Sequence, residues 1–276
     1  GTIQESIQSR HFMGDQLSSR METILPGGKG VWMPMDHGAS RFPESGLEDT
    51  ISAVDAAIEG GADAIIMHKG PVSYHSIRTG WNRFVCHTSV STVHGGARSQ
   101  DKILVAAVSE CISRGAIAVS AQVNLGDPAE PEMIERIGKI TTEAQNMEIP
   151  VLGMFYPRGP NLSLDDSDST GGIAHAARLA WELGCNVVKV PWTGSEESFE
   201  IVTSSVPIPV LLSGGPKKLT NLDLLKLVEK SVYSGGSGVC MGRYIFNSHD
   251  PASLIRSLRA VVHDGANSEE ASRYLR

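Results

Sequence analysis

Short apolar runs rich in β-branched residues recur along nearly the whole chain, and each is followed by a segment with helical periodicity. The runs are Val31–Met35, Ala64–Met67, Phe84–His87, Ile117–Ser120, Val151–Phe155, Val187–Val190, Val210–Leu212 and Gly238–Met241. Most are continuously apolar rather than alternating, which marks parallel strands covered on both faces. Eight such units in 276 residues, with no Gly/Pro/Ser-rich linker between them, predict a single closed (β/α)8 TIM barrel of the α/β class. An open doubly wound sheet is the alternative, but no Gly-x-Gly-x-x-Gly follows the first run. Residues 1–29 are expected to form an N-terminal arm or helix, and 30–276 the barrel.

Helix ends are readable between the runs. Ser45-Gly46-Leu47-Glu48 and Thr220-Asn221-Leu222-Asp223 both fit a capping box. Ile51, Val54, Ala57 and Ile58 form an apolar face that Gly60-Gly61 ends. Ile173, Ala176, Ala177, Ala180 and Leu183 repeat the pattern up to Gly184, and Leu222, Leu225, Val228 and Val232 repeat it up to Gly235-Gly236.

Several function classes are set aside by what the chain lacks. It carries 24 Lys and Arg against 31 Asp and Glu, a net charge of −7, which argues against binding to nucleic acid or anionic membrane. No apolar run approaches the roughly 20 residues of a membrane span. No basic segment followed by an apolar one opens the sequence, so a cytoplasmic protein is expected. Cys86, Cys111, Cys185 and Cys240 are isolated, which suits small buried hydrophobes better than a zinc knot or a disulfide framework. His87 and His94 are loosely spaced, and Asp165-Asp166-Ser167-Asp168 lacks the Gly and the final Glu of a calcium loop, so no metal is expected.

In a barrel of this kind, chemistry collects where strands end. The first run ends in Asp36-His37-Gly38, an acid and an imidazole able to move protons, or a helix cap and a surface His. The second ends in His68-Lys69-Gly70, where a salt-bridge role for Lys69 competes with a catalytic one. The fifth ends in Tyr156-Pro157-Arg158-Gly159, offering a phenol for proton transfer and a guanidinium for an anion. In the sixth, Lys189 interrupts an apolar run. Burial and nearby cations favour the neutral amine, the form that attacks a carbonyl to make a Schiff base, while a neutralising ion pair across the barrel is the other reading. Gly214-Gly215 and Gly242-Arg243 follow the last two runs, where open backbone N–H groups hold phosphate.

Taken together, Pro34-Met35-Asp36-His37-Gly38, His68-Lys69-Gly70, Tyr156-Pro157-Arg158-Gly159, Val188-Lys189, Gly214-Gly215-Pro216-Lys217 and Gly242-Arg243-Tyr244-Ile245-Phe246 resemble the archaeal-type class I aldolases over roughly residues 20–270. Met154 stands where the fructose-bisphosphate aldolase branch usually has Trp, and Val119–Asn124 resembles the branch that makes an aminated seven-carbon precursor of aromatic amino acids. The quorum-signal thiolase branch lacks the Tyr-Pro-Arg-Gly run found here. Val190-Pro191-Trp192-Thr193-Gly194 departs from the usual Thr-Ser-Tyr-Thr-Gly, and Trp192 is expected to reshape the pocket.

The resemblance implies that Lys189 forms the imine, Tyr156 donates a proton and Asp36 accepts one. It implies that these three also touch substrate, along with His37, Gly38, Ala39, Ser40, Pro157 and Arg158, while Gly214, Gly215, Gly242 and Arg243 hold phosphate. The implied partners are a phosphorylated keto-sugar donor and an aldehyde acceptor, aspartate semialdehyde in the precursor-making branch. Fructose-bisphosphate cleavage is the alternative. The resemblance further implies no metal or cofactor, and a five-fold or ten-fold homo-oligomer.

Overall fold

The computed structural model describes residues 14–163, 169–214 and 218–276. The strands are β1 (Gly30–Pro34), β2 (Ala64–Met67), β3 (Phe84–His87), β4 (Ser89–Val90), β5 (Ile103–Leu104), β6 (Ala116–Leu125), β7 (Val151–Pro157), β8 (Val187–Val190), β9 (Val210–Ser213) and β10 (Gly238–Cys240). Eight of them close into a barrel in the order β1-β2-β3-β6-β7-β8-β9-β10, every neighbouring pair parallel. This is the (β/α)8 barrel that the apolar runs predict. β4 and β5 form a small antiparallel ribbon between β3 and β6.

The helices are α1 (Asp15–Ile24), α2 (His37–Ser40), α3 (Thr50–Gly60), α4 (Lys69–Thr79), α5 (Val108–Ser113), α6 (Glu130–Met147), α7 (Ser169–Glu182), α8 (Glu196–Ser204), α9 (Asn221–Tyr233), α10 (Arg243–Phe246), α11 (Pro251–Asp264) and α12 (Ser268–Ala271). Among the described residues, no helix is long and apolar enough to cross a membrane.

The apolar runs resolve into two phases because successive strand side chains point to opposite faces. One phase, including Val31, Ile65, Val188, Val190 and Leu212, faces the helices in a large outer core. The other, including Trp32, Ile66, Val85, Ala118, Leu152, Met154, Val187 and Leu211, fills the lumen. Ile24 and Leu25 join this inner cluster from the end of α1, and the Trp32 indole donates to the Ile24 carbonyl at 2.7 Å. The N-terminal helix therefore stoppers one end of the barrel. Nearby, buried Asp63 accepts from the Val31 amide at 2.8 Å and pairs with Arg259 and His263 at 3.0 and 2.7 Å.

Three local expectations shift. The segment at 45–48 is not a cap: Glu48 accepts from the Gly46 amide, and Asp49 caps α3 by accepting from Ser52. Thr220 does cap α9, through the Asp223 amide. Ile51 and Leu222 are exposed, since each falls in the first turn of its helix, and the buried faces are Ala53-Val54-Ala57 and Leu224-Leu225-Val228. The Asp165–Asp168 loop lies outside the described residues. All four cysteines are free and buried.

Candidate active site

The inward phase that carries Trp32 and Val187 low in the barrel carries polar side chains at the other end. On β8, Val187 and Lys189 share the lumen, and Lys189 is 9% exposed. On β7 the same phase runs Leu152, Met154, Tyr156, with Met154 in register with Lys189. On β3 and β6 it brings in His87 and Ser120, which are paired in register. Asp36 lies just past β1, after Met35.

Of these, Asp36, Met154, Tyr156 and Lys189 line a cavity of about 940 Å³ at the strand ends. Asp36, His37, Ser40, Tyr156, Pro157, Arg158, Lys189, Gly214, Gly242 and Arg243 all line it. Gly38 and Ala39 sit on α2 but do not reach the cavity wall, and Ala39 is exposed. Gly215, Pro216 and Lys217 lie outside the described residues. Lys69 pairs with Glu110 at 3.1 Å, the salt-bridge reading of that residue. Trp192 packs against Phe199 of α8, with ring centroids 5.0 Å apart, rather than on the cavity wall.

Two glycines are required by close approach. A Cβ on Gly242 would lie 2.5 Å from the Pro34 carbonyl oxygen and 2.7 Å from His37. A Cβ on Gly159 would lie 1.8 Å from the Gly126 backbone. The first packs the β10 turn onto β1 beside Asp36, and the second seats the turn that carries Arg158.

The electrostatics differ from the sequence expectation at its central residue. Burial works to lower the Lys189 pKa, but the Tyr156 phenol, which hydrogen-bonds it, the Cys240 thiol and the Asp36 carboxylate together raise it above the ordinary lysine value. The resting side chain is an ammonium, not the neutral amine expected from burial, because the inward phase also delivers its stabilising partners. Burial would raise the Asp36 pKa; His87, His37, His68 and Lys189 outweigh it and hold the carboxyl well below its usual range. Burial pushes the His87 imidazole down to about 3, so it is neutral near pH 7, and it also lowers His37 and His68. Lys189 is thus the lasting cationic partner of Asp36 among the groups acting on it.

Several polar side chains around the site escape the sequence reading. His87 Nδ1 lies 2.7 Å from the Ser120 hydroxyl, and its Nε2 lies 3.9 Å from Asp36 Oδ2. His68 packs edge-on against it at 5.3 Å. Gln122 donates to Asn124, and Asn124 donates to the Gln100 carbonyl, tying β6 to the segment after β4. That segment brings Lys102 into the cavity wall. The signal for His87, Ser120, Gln122 and Asn124 is their common inward phase. The Arg158 guanidinium sits 4.1 Å above the Tyr156 ring, and Arg243 Nε bonds Glu44 at 3.2 Å.

Among the described residues, no group of three or more His, Cys, Asp or Glu side chains is arranged to hold a metal. The arrangement can bind an anionic carbonyl compound, hold a lysine against its carbonyl carbon, and move protons through Asp36 and Tyr156.

Comparison with known proteins agrees with this chemistry. The DeoC/LacD aldolase family pattern matches residues 31–248. The chain is 37% identical over 256 residues to 2-amino-3,7-dideoxy-D-threo-hept-6-ulosonate synthase 1 of Archaeoglobus fulgidus, covering 92% of this chain and 94% of that protein. It is 32% identical over 235 residues to 2-amino-4,5-dihydroxy-6-oxo-7-(phosphonooxy)heptanoate synthase of Streptomyces griseus, covering 84% of each. A solved Schiff-base-forming fructose-1,6-bisphosphate aldolase superposes with a TM-score of 0.80 at 27% identity, covering 90% of this chain and 100% of that one.

Proposed function

The chain belongs to the DeoC/LacD aldolase family, and from that premise we propose that it is a lysine Schiff-base transaldolase that transfers a ketol unit from a phosphorylated keto-sugar to an aldehyde. The observation that carries the reading is the inward-facing Lys189, which lines the cavity, hydrogen-bonded to Tyr156 and acted on by the Asp36 carboxylate.

The ammonium of Lys189 first gives up a proton, with Asp36 and Tyr156 as the neighbouring groups that take and return protons. The neutral amine adds to the donor ketone, and loss of water leaves a protonated imine. That imine draws in the electron pair of the bond between the α and β carbons as Asp36 takes the proton of the β-hydroxyl, so the bond breaks, an aldehyde departs and an enamine remains on Lys189. The enamine carbon then attacks the acceptor aldehyde, Tyr156 protonates the new alkoxide, and water releases the product. Asp36 serves as proton acceptor. His37, Ser40, Pro157 and Arg158 hold the substrate. Gly38 and Ala39 support this wall from α2. Gly214, Gly215, Gly242 and Arg243 hold phosphate, Arg243 through the guanidinium nitrogens not engaged by Glu44.

The names of the two synthases describe seven-carbon products with an amine beside a carboxylate at one end and a ketone at C6. The acceptor that supplies such an end is an amino-acid aldehyde, L-aspartate 4-semialdehyde, and the donor is 6-deoxy-5-ketofructose 1-phosphate. With that donor and acceptor the enzyme acts in aromatic amino-acid synthesis, and our reading takes it as a cytoplasmic pentamer or decamer. Fructose-1,6-bisphosphate cleavage, as in the structural relative, is the second reading; the higher identity to the synthases and Met154 beside Lys189 favour the first.

Borohydride added with donor is expected to trap a covalent adduct on Lys189, absent from Lys189→Met. No adduct on the unaltered protein rules the reading out. Comparing C7 product formation with fructose 1,6-bisphosphate cleavage decides between the two reactions.

A further inference from the structure

Strand order sets Arg243, after β10, across the barrel from β6, and a second positive wall stands on that far side. Lys102 precedes β5, and Arg158 follows β7. Both line the cavity. The Lys102 backbone is fixed by its neighbours: Asp101, 5% exposed, is gripped by Arg98 and Arg136, each at 2.5 Å, and Arg136 also donates to the Lys102 carbonyl at 3.0 Å. Its ammonium has no carboxylate within ion-pair distance among the described residues. Burial lowers its pKa, Asp36 acts on it favourably from a distance, and Arg158 repels it. Such a rigidly based pair of cations, each partly desolvated and each opposing the other, is stabilised by an anion that bonds both.

The bond made on Lys189 fixes what that anion is. The ketone half of the product is held at Lys189, so the acceptor half extends away from it, and its far end is the amino-carboxylate. We propose that Lys102, with Arg158, binds the carboxylate of the acceptor aldehyde and so selects amino-acid aldehydes over neutral ones. The assignment rests on the transaldolase reading above. Gln122, held by Asn124 and lining the same wall, borders this position.

The test uses purified protein and the variants Lys102→Met and Lys102→Arg, one donor, and three acceptors: L-aspartate 4-semialdehyde, glyceraldehyde 3-phosphate and propanal. In Lys102→Met, the KM for aspartate semialdehyde is expected to rise about ten- to a hundredfold, the loss of one charge-assisted hydrogen bond. The kcat/KM for propanal is expected to stay within about twofold, because a neutral acceptor makes no such bond. Lys102→Arg restores most of the affinity. Retained borohydride trapping with donor shows that the variant is folded and its lysine competent. Equal loss for propanal, or a loss confined to glyceraldehyde 3-phosphate, overturns the carboxylate assignment while leaving the Schiff-base reading intact. Absence of any adduct on the unaltered protein overturns both.

Discussion

The His87 imidazole is held between Ser120 and Asp36, its Nδ1 2.7 Å from the hydroxyl and its Nε2 3.9 Å from the carboxylate. With the ring neutral, a Ser120 hydroxyl that donates to Nδ1 leaves the ring proton on Nε2, aimed at Asp36. Ser120→Ala is expected to lower kcat by up to about tenfold, the worth of one hydrogen bond, with little change in KM. Steady-state kinetics across pH check this; a change confined to KM counts against the orienting role.

Acid stability follows from the same ring. The folded-state pKa of His87 is about 3, against the 6.5 of an ordinary histidine. Between those values the unfolded chain carries a proton that the folded chain does not, so stability rises with pH there and falls on acidification. The slope from this one group is at most about 1.4 kcal/mol per pH unit. Asp36, also depressed, adds a loss in the same direction below the ordinary carboxylate pKa. Thermal melts from pH 7 to pH 4 should show a falling Tm, and His87→Gln should flatten that fall.

Tyr156→Phe keeps the ring beneath Arg158 and removes the proton. A drop in kcat of about a hundredfold or more is expected, with donor KM nearly constant and the Lys189 adduct still trapped. Rapid-quench and steady-state rates distinguish this from a packing defect, which would weaken donor binding.

Asp63 predicts a large effect far from the chemistry. It is 3% exposed and serves the Val31 amide, Arg259 and His263 at once. Asp63→Ala leaves the Val31 amide and His263 without this acceptor and Arg259 with the Gly61 carbonyl, and should cost roughly 3–5 kcal/mol in denaturant unfolding. Turnover per folded molecule should be unchanged.

Cys86 and Cys111 are both fully buried, and the Cys86 thiol is held protonated by its hydrogen bond to Cys111 and by burial. Neither should react with a thiol reagent until the protein unfolds.

The barrel was legible because its strands are covered on both faces, so each appears as an unbroken apolar run. Lys189 was legible for the same reason, as a charge in such a run. His87, Ser120, Gln122 and Asn124 were harder to see: β6 continues to Leu125, and beyond Ser120 its polar residues resemble the end of a strand rather than its inner face. Lys102 had no signal, since it comes from an aperiodic segment whose path is set by the Asp101 clamp. The charge state of Lys189 is not legible from burial alone, because the same inward phase brings Tyr156 and Asp36 to stabilise its ammonium.

With Ile24, Leu25 and Trp32 sealing the barrel's lower end, traffic to Lys189, among the described residues, passes through the cavity at the strand ends. In the proposed transfer, the departing aldehyde must back out before the next can enter, and the enamine waits between them. Such a cycle runs as a double displacement: double-reciprocal plots at varied donor should be parallel lines, and either aldehyde, in excess, should obstruct the other.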